Sequence, residues 1–325
     1  MSGRLILHIG THKTATTHIQ RSLASNADRL AEQGVWYPKY DLIDRPKHYA
    51  HIGAANAFAG EEKDLTKQDA ERFFSAVAAG KVAYDTTILS AESFWRHHDQ
   101  AAGPDYWSQR RAFIQRLATI LPGDTVIAVV LRRQAEFAQS FYQEHVKATR
   151  YAKGFAEYRQ EFWYHFAYLD QLRAWQSVFP NVVAIRFDDI SDGQNTVRHF
   201  GGKLGIDLHG IDAAPHANKA WPPDLTIVKR MLNTTSVDRK TLRNEVDRLA
   251  GSMAKGMPKR SLFSDPAERQ EFQRGFDAAN AALRAEFMGG QDVPETLFPS
   301  GFDDDVIFGD ALSVPSIAKL VSLTK

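Results

Sequence analysis

Residues 5–23, LILHIGTHKTATTHIQRSL, constrain the fold more than any other stretch of this chain. An apolar run ends in Gly10, a polar turn holds Lys13, and a hydroxyl-rich segment follows. Leu5, Ile6, Leu7 and Ile9 have the pattern of a short strand buried on both faces, while Ile19, Leu23, Ala27 and Leu30 recur at helical spacing. Strand, tight loop and helix place an anion site at the helix's positive end. Gly10 allows the backbone to turn sharply, so that N–H groups from Lys13 through Ala15 to His18, with the hydroxyls of Thr14, Thr16 and Thr17, converge on one oxyanion. Lys13 adds a mobile point charge.

The rest of the chain repeats this alternation. A helix is expected over about 16–33 with Gly34 as its left-handed stop, then a short strand in 34–38. An irregular segment, 41–60, carries His48 and His51. A helix over 65–80, capped by Thr66, precedes a β-branched strand at 86–89 that runs into Ser90, Ala91 and Glu92. In a doubly wound parallel sheet all strands deliver their C-terminal ends to one crevice, which brings Glu92 beside the Lys13 loop. A helix over 104–121 leads to the clearest buried strand, 125–131, followed at once by Arg132 and by a helix over 135–149 holding Ser140. A long aromatic helical region is expected over 151–179, a strand at 182–187 ending in Phe187, and a helix over 195–204. Helices over 225–232, 242–249 and 267–287 follow, with a basic loop of Lys255, Lys259 and Arg260 between the last two.

Two motifs in this order carry chemistry. The nucleotide-hydrolase loop needs a glycine directly before its lysine, and here His12 stands there. Lys13-Thr-Ala-Thr-Thr17 instead resembles the 5′-phosphosulfate loop of sulfotransferases that use 3′-phosphoadenosine 5′-phosphosulfate (PAPS), with Ala15 in the place of the usual glycine. The second motif, 132–142, keeps an arginine at a strand end, Ser140 eight residues on and an aromatic at Tyr142, the arrangement with which that family holds the nucleotide's 3′-phosphate. It lacks the family's Asp-Pro pair, and Phe137 replaces its inner arginine. A guanidinium fork with a hydroxyl suits a terminal phosphate.

The resemblance, over about residues 4–290, implies an α/β, P-loop-like three-layer fold with a central, mostly parallel sheet and a helical C-terminal part. It is read as a single domain, 1–325, with a surface tail from about 290. It implies transfer of a sulfuryl group from PAPS to an acceptor hydroxyl, and is nearest to bacterial enzymes of the heparan type with a carbohydrate or lipid-linked acceptor. Lys13 would cover the leaving oxygen and Glu92 or His51 take the acceptor's proton. Residues 13–18, Arg132, Ser140 and Phe187 would hold the nucleotide, Phe187 against the adenine. No metal is expected.

Composition narrows the alternatives. Forty basic against 39 acidic side chains argue against bulk nucleic-acid binding, and the absence of cysteine excludes a disulfide framework or thiolate metal site. The 43% of apolar residues can fill a large core. With Met1, Ser2, Gly3 and Arg4 leading into the first strand, no leader or membrane anchor is expected. A cytoplasmic location follows, with transient contact at the inner membrane face open to it. A P-loop kinase and a non-catalytic nucleotide-binding module are the alternatives.

Overall fold

The computed structural model describes residues 3–45, 48–214, 221–253, 259–289, 292–302 and 306–323. The strands are β1 (Arg4–His8), β2 (Val35–Trp36), β3 (Thr86–Ser90), β4 (Val126–Leu131), β5 (Val182–Arg186), β6 (Arg260–Ser261) and β7 (Ile307–Phe308). The helices through β5 are α1 (Thr16–Ser25), α2 (Ala27–Glu32), α3 (Ile52–Phe58), α4 (Lys67–Gly80), α5 (Tyr106–Leu117), α6 (Gln134–Ala148), α7 (Phe155–Glu161) and α8 (Tyr168–Gln176). After β5 come α9 (Thr196–Lys203), α10 (Pro223–Leu232), α11 (Arg239–Met253), α12 (Pro266–Arg274), α13 (Asp277–Phe287) and α14 (Val314–Leu323). The chain divides into two compact units. Unit 1 comprises 1–132, 167–217 and 281–295, and unit 2 comprises 133–166, 218–280 and 296–325.

Unit 1 is built on a five-stranded sheet in the order β2-β3-β1-β4-β5, every pairing parallel. Because successive side chains point to opposite faces, each strand must be apolar on both sides. Ile6, Ile88, Ala128, Val130 and Ile185 join a cluster with Ile19, Leu23 and Leu30 below the sheet and Val197 and Phe200 of α9. The alternate residues Leu5, Leu7, Leu89, Ile127 and Val129 are equally buried, so both faces are covered. This is the expected three-layer α/β class with a central parallel sheet. The chain order reverses between β1 and β4, which marks the C-terminal ends of β3, β1 and β4 as the crevice of the sheet.

Three long helical expectations are broken in the structure. The helix expected over 16–33 ends at Asn26, whose side-chain amide donates to the Ser22 carbonyl at 2.7 Å and to the Asp212 carbonyl at 2.9 Å, while its Oδ1 accepts from the Asp212 N–H at 3.1 Å. An asparagine that bonds backbone in this way competes with the helical ladder. The aromatic region of 151–179 divides into α7, a 3₁₀ turn at Trp163–His165 and α8, and 267–287 divides at Gly275 into α12 and α13. Gly34 takes the left-handed conformation expected of it, φ 79°, and Thr66 forms a full capping box with Asp69.

Unit 2 contains the helices α6, α7, α10, α11, α12 and α14 and the parallel pair β6–β7. The expected tail, read as turns, holds β7 and α14. A buried amide ladder stands at the start of α6, where the resembled family has its Asp-Pro. Gln273 Oε1 accepts the Ala135 N–H at 3.1 Å, and its Nε2 donates to Gln134 Oε1 at 2.8 Å. Gln134 Nε2 in turn donates to Asn280 Oδ1 at 2.6 Å. An α12 side chain thus does the capping that no residue before α6 supplies.

Candidate functional site

The site is assembled at the C-terminal edge of the unit 1 sheet. After β1 the chain keeps its pairing with β4 for a few residues: Thr11 N–H and Oγ1 both donate to the Val130 carbonyl, and Val130 N–H donates to Gly10 O at 2.6 Å. Gly10, at φ 110°, is a position that both geometry and space reserve for glycine. A Cβ there would lie 3.1 Å from Cα and Cβ of Glu92, so the Lys13 loop and the end of β3 abut at this residue.

The loop then turns through two left-handed residues, Lys13 at φ 65° and Ala15 at φ 60°. Ala15 is the N-cap of α1 and supplies no side-chain acceptor. The first N–H groups of a helix have no partner within it, so the backbone at Thr16, Thr17 and His18 forms a donor-rich, electropositive end. Thr14 departs from its expected part. Its side chain is buried and its hydroxyl donates to the Thr11 carbonyl at 2.7 Å, which closes the loop instead of facing a ligand. His12 lies beside Lys13 and Arg96, and burial together with those two cations lowers its pKa to about 3. It is a neutral imidazole at pH 7. Arg96 is tied to Glu61 at 3.0 and 3.2 Å and to Asn56 at 3.1 Å.

Glu92 opens a one-turn 3₁₀ helix, Glu92–Trp95, directly after β3. Its carboxylate accepts a hydrogen bond of 2.7 Å from Gln20 Nε2, which comes from the buried face of α1. Gln20 was not singled out by sequence. The available signal is its spacing: it sits three residues after Thr17, one turn above the loop, as a polar side chain between the core residues Ile19 and Leu23.

His51 is fixed by the backbone at both ring nitrogens. Its Nδ1 accepts the Ser90 N–H at 2.8 Å, which puts the ring proton on Nε2, and Nε2–H donates to the Pro38 carbonyl at 2.8 Å. Both nitrogens are engaged by backbone, the side chain is buried, and desolvation first of all lowers its pKa to about 4. Of the two expected bases, His51 has both ring nitrogens bonded to backbone, whereas Glu92 is a carboxylate bonded by the Gln20 amide. His51 instead ties the Pro38 carbonyl to the end of β3.

Arg132 follows β4, and its guanidinium lies 5.5 Å from the ring centroid of Phe187, which follows β5. Its carbonyl accepts from Tyr168 Oη at 2.8 Å. The strand-end arginine and the expected adenine neighbour are therefore brought together in unit 1, with Phe187 also packed on the core cluster. Ser140, on the second turn of α6, belongs to unit 2. So does Tyr142, which is a core residue there: its hydroxyl donates to the Lys153 carbonyl at 3.0 Å and accepts from Arg230 at 2.9 Å, and burial raises its pKa to about 12. Within the expected basic loop, Lys255 lies outside the described residues. Arg260 is not a ligand-facing cation, for its guanidinium is buried against Asp224 at 2.6 Å and the Gly309 carbonyl at 2.7 Å.

No protein-family model matches the chain, and no curated protein matches it. Among solved structures it is similar to one described as a sulfotransferase from Alicyclobacillus acidocaldarius, at 16% identity and a TM-score of 0.41, over 76% of this chain and 97% of that one. Among the described residues no helix is long and apolar enough to cross a membrane.

Proposed function

We propose that this chain is a sulfotransferase that moves a sulfuryl group from PAPS to a hydroxyl of a carbohydrate or lipid-linked acceptor. The observation that carries the reading is the close approach at Gly10, which sets Glu92, whose carboxylate accepts from Gln20, beside a lysine-bearing, left-handed loop at a helix N-terminus. The sequence resemblance supplies the donor, and the loop's conformation supports it: Ala15 takes the left-handed turn for which a glycine is usual.

In this reading the α1 N-terminus and the hydroxyls of Thr16 and Thr17 hold the 5′-phosphate, and Arg132 binds the 3′-phosphate beside Phe187. Ser140's share in the nucleotide site is a separate proposal. The acceptor oxygen forms a bond to sulfur as the bridging sulfur–oxygen bond breaks. Its proton passes to Glu92, and the electron pair leaves on the phosphate oxygen, where Lys13 neutralises the growing charge. Such a base contributes typically ~10² to 10⁴ in rate.

The test is transfer from labelled PAPS to fractionated cell polysaccharide and lipid. The wild type should label one fraction, and Glu92→Gln should cut the rate by roughly 10² or more with donor affinity intact. A fully active Glu92→Gln would remove Glu92 as base, and no transfer to any fraction would overturn the activity.

A further inference from the structure

Gln20 makes an arrangement that stability alone does not explain. The side chain is fully buried, and its Nε2 faces three acceptors: Glu92 Oε2 at 2.7 Å, Ser90 Oγ at 3.2 Å and the Ser90 carbonyl at 3.5 Å. Its Oε1, by contrast, is buried with no hydrogen-bond partner. The reversed amide would set a carbonyl oxygen against the Glu92 carboxylate, so the orientation is fixed by charge. A buried unsatisfied carbonyl destabilises a fold, whereas an apolar side chain of similar shape at such a position is nearly neutral or better. A group kept in spite of that cost is the mark of a functional constraint.

The surroundings are rigid in the way such a constraint requires. Ser90 Oγ also contacts His8 Nδ1 at 2.8 Å, and the Ser90 backbone is gripped by His51, whose N–H donates to the Ser90 carbonyl at 3.0 Å while its ring accepts the Ser90 N–H. Gln20 therefore spans from a fixed point at the end of β3 to the carboxylate two residues on. A displacement of about 1 Å at a reacting group can cost ~10²-fold in rate, so a fixed donor on the carboxylate bears directly on the chemistry.

We infer that Gln20 is the positioning residue for Glu92: its amide holds the carboxylate in the place from which it takes the acceptor's proton, and it does so at the expense of stability. This rests on the proposed role of Glu92. The effect operates through Glu92 alone, so Gln20 touches neither donor nor acceptor.

The experiment uses Gln20→Met, which keeps volume and removes both the donor and the orphaned carbonyl, and Gln20→Asn, which keeps the amide but shortens its reach. Gln20→Met should melt at or above the wild-type temperature and bind adenosine 3′,5′-bisphosphate unchanged, while turnover falls roughly ten- to hundred-fold. Gln20→Asn should recover part of the turnover if its amide regains the carboxylate. In a Glu92→Gln background, Gln20→Met should add less than a twofold loss, because the group it positions is already gone. A crystal structure of Gln20→Met should show the Glu92 carboxylate displaced. The inference is overturned if the carboxylate keeps its place and turnover drops less than twofold, or if the two substitutions act additively. If Glu92→Gln proves fully active but the carboxylate still moves in Gln20→Met, the base assignment fails and the positioning contact stands.

Discussion

Ala15 adopts φ 60°, a conformation in which the β-carbon of an L-residue crowds the following carbonyl at a cost of roughly 1–2 kcal/mol. The resembled phosphosulfate loop has glycine here, and the chain keeps that glycine's backbone with an alanine side chain. Ala15→Gly is therefore expected to stabilise unit 1 by about 0.5–1 kcal/mol, since relief of the left-handed strain outweighs glycine's larger entropy loss. A denaturant midpoint measures it, and a clear fall would mean the methyl group packs favourably enough to offset the strain. At this scale the sequence was readable where the backbone leaves one choice, as at Gly10. It was opaque where orientation decides. Thr14 and His51 have the composition of ligand-facing groups, yet the Thr14 hydroxyl closes the loop and both nitrogens of His51 bind backbone. Gln20 was invisible for the complementary reason: a helix face marks it only as one polar residue among apolar neighbours.

Among the elements, the strands were the most legible, because a parallel sheet covered on both faces demands apolar or β-branched runs and β1, β3, β4 and β5 have them. Helix ends inside long amphipathic stretches were not. The break between α1 and α2 depends on Asn26 meeting Asp212, a partner 186 residues away that no local pattern reveals. Asn26→Ala removes its side-chain bonds to the Ser22 and Asp212 backbone, each contributing about 0.5–1.5 kcal/mol net. We expect a loss of about 2 kcal/mol in denaturant unfolding with bisphosphate binding preserved at 25 °C; an unchanged midpoint would show that the break is set elsewhere. The start of α6 follows the same logic. Its missing Asp-Pro looked like a defect in the motif, and the amide ladder of Gln134, Gln273 and Asn280 does the capping from distant sequence.

At the scale of the molecule, the α/β class was legible from the alternation of strand and helix, whereas the separation into two compact units was not, since both are threaded by the chain more than once. One whole-molecule property follows from the buried histidines of unit 1. Burial lowers the pKa of His8 and of His51 to about 4, against 6.5 for the free side chain, and lowers His97 well below its ordinary value. Between pH 6.5 and 4 the unfolded chain binds protons that the folded one excludes. Stability from these groups is thus full above pH 6.5 and is lost as pH falls toward 4, by about 3 kcal/mol for each of His8 and His51. Melting temperature should drop steeply from pH 7 to pH 5, and His51→Gln should flatten that slope even though it lowers stability at pH 7. A flat profile in the wild type would show that these histidines already carry a proton in the fold.

In the proposed function the Lys13 loop and Arg132 serve one nucleotide bearing both a 5′ and a 3′ phosphate group. Titration calorimetry with adenosine 3′,5′-bisphosphate, 5′-AMP and magnesium ATP tests it most directly. The bisphosphate should bind at least tenfold more tightly than 5′-AMP, a difference of about 1.4 kcal/mol or more, and Arg132→Ala should abolish that preference. Equal affinities for bisphosphate and 5′-AMP, a preference that survives Arg132→Ala, or tighter binding of magnesium ATP would contradict it.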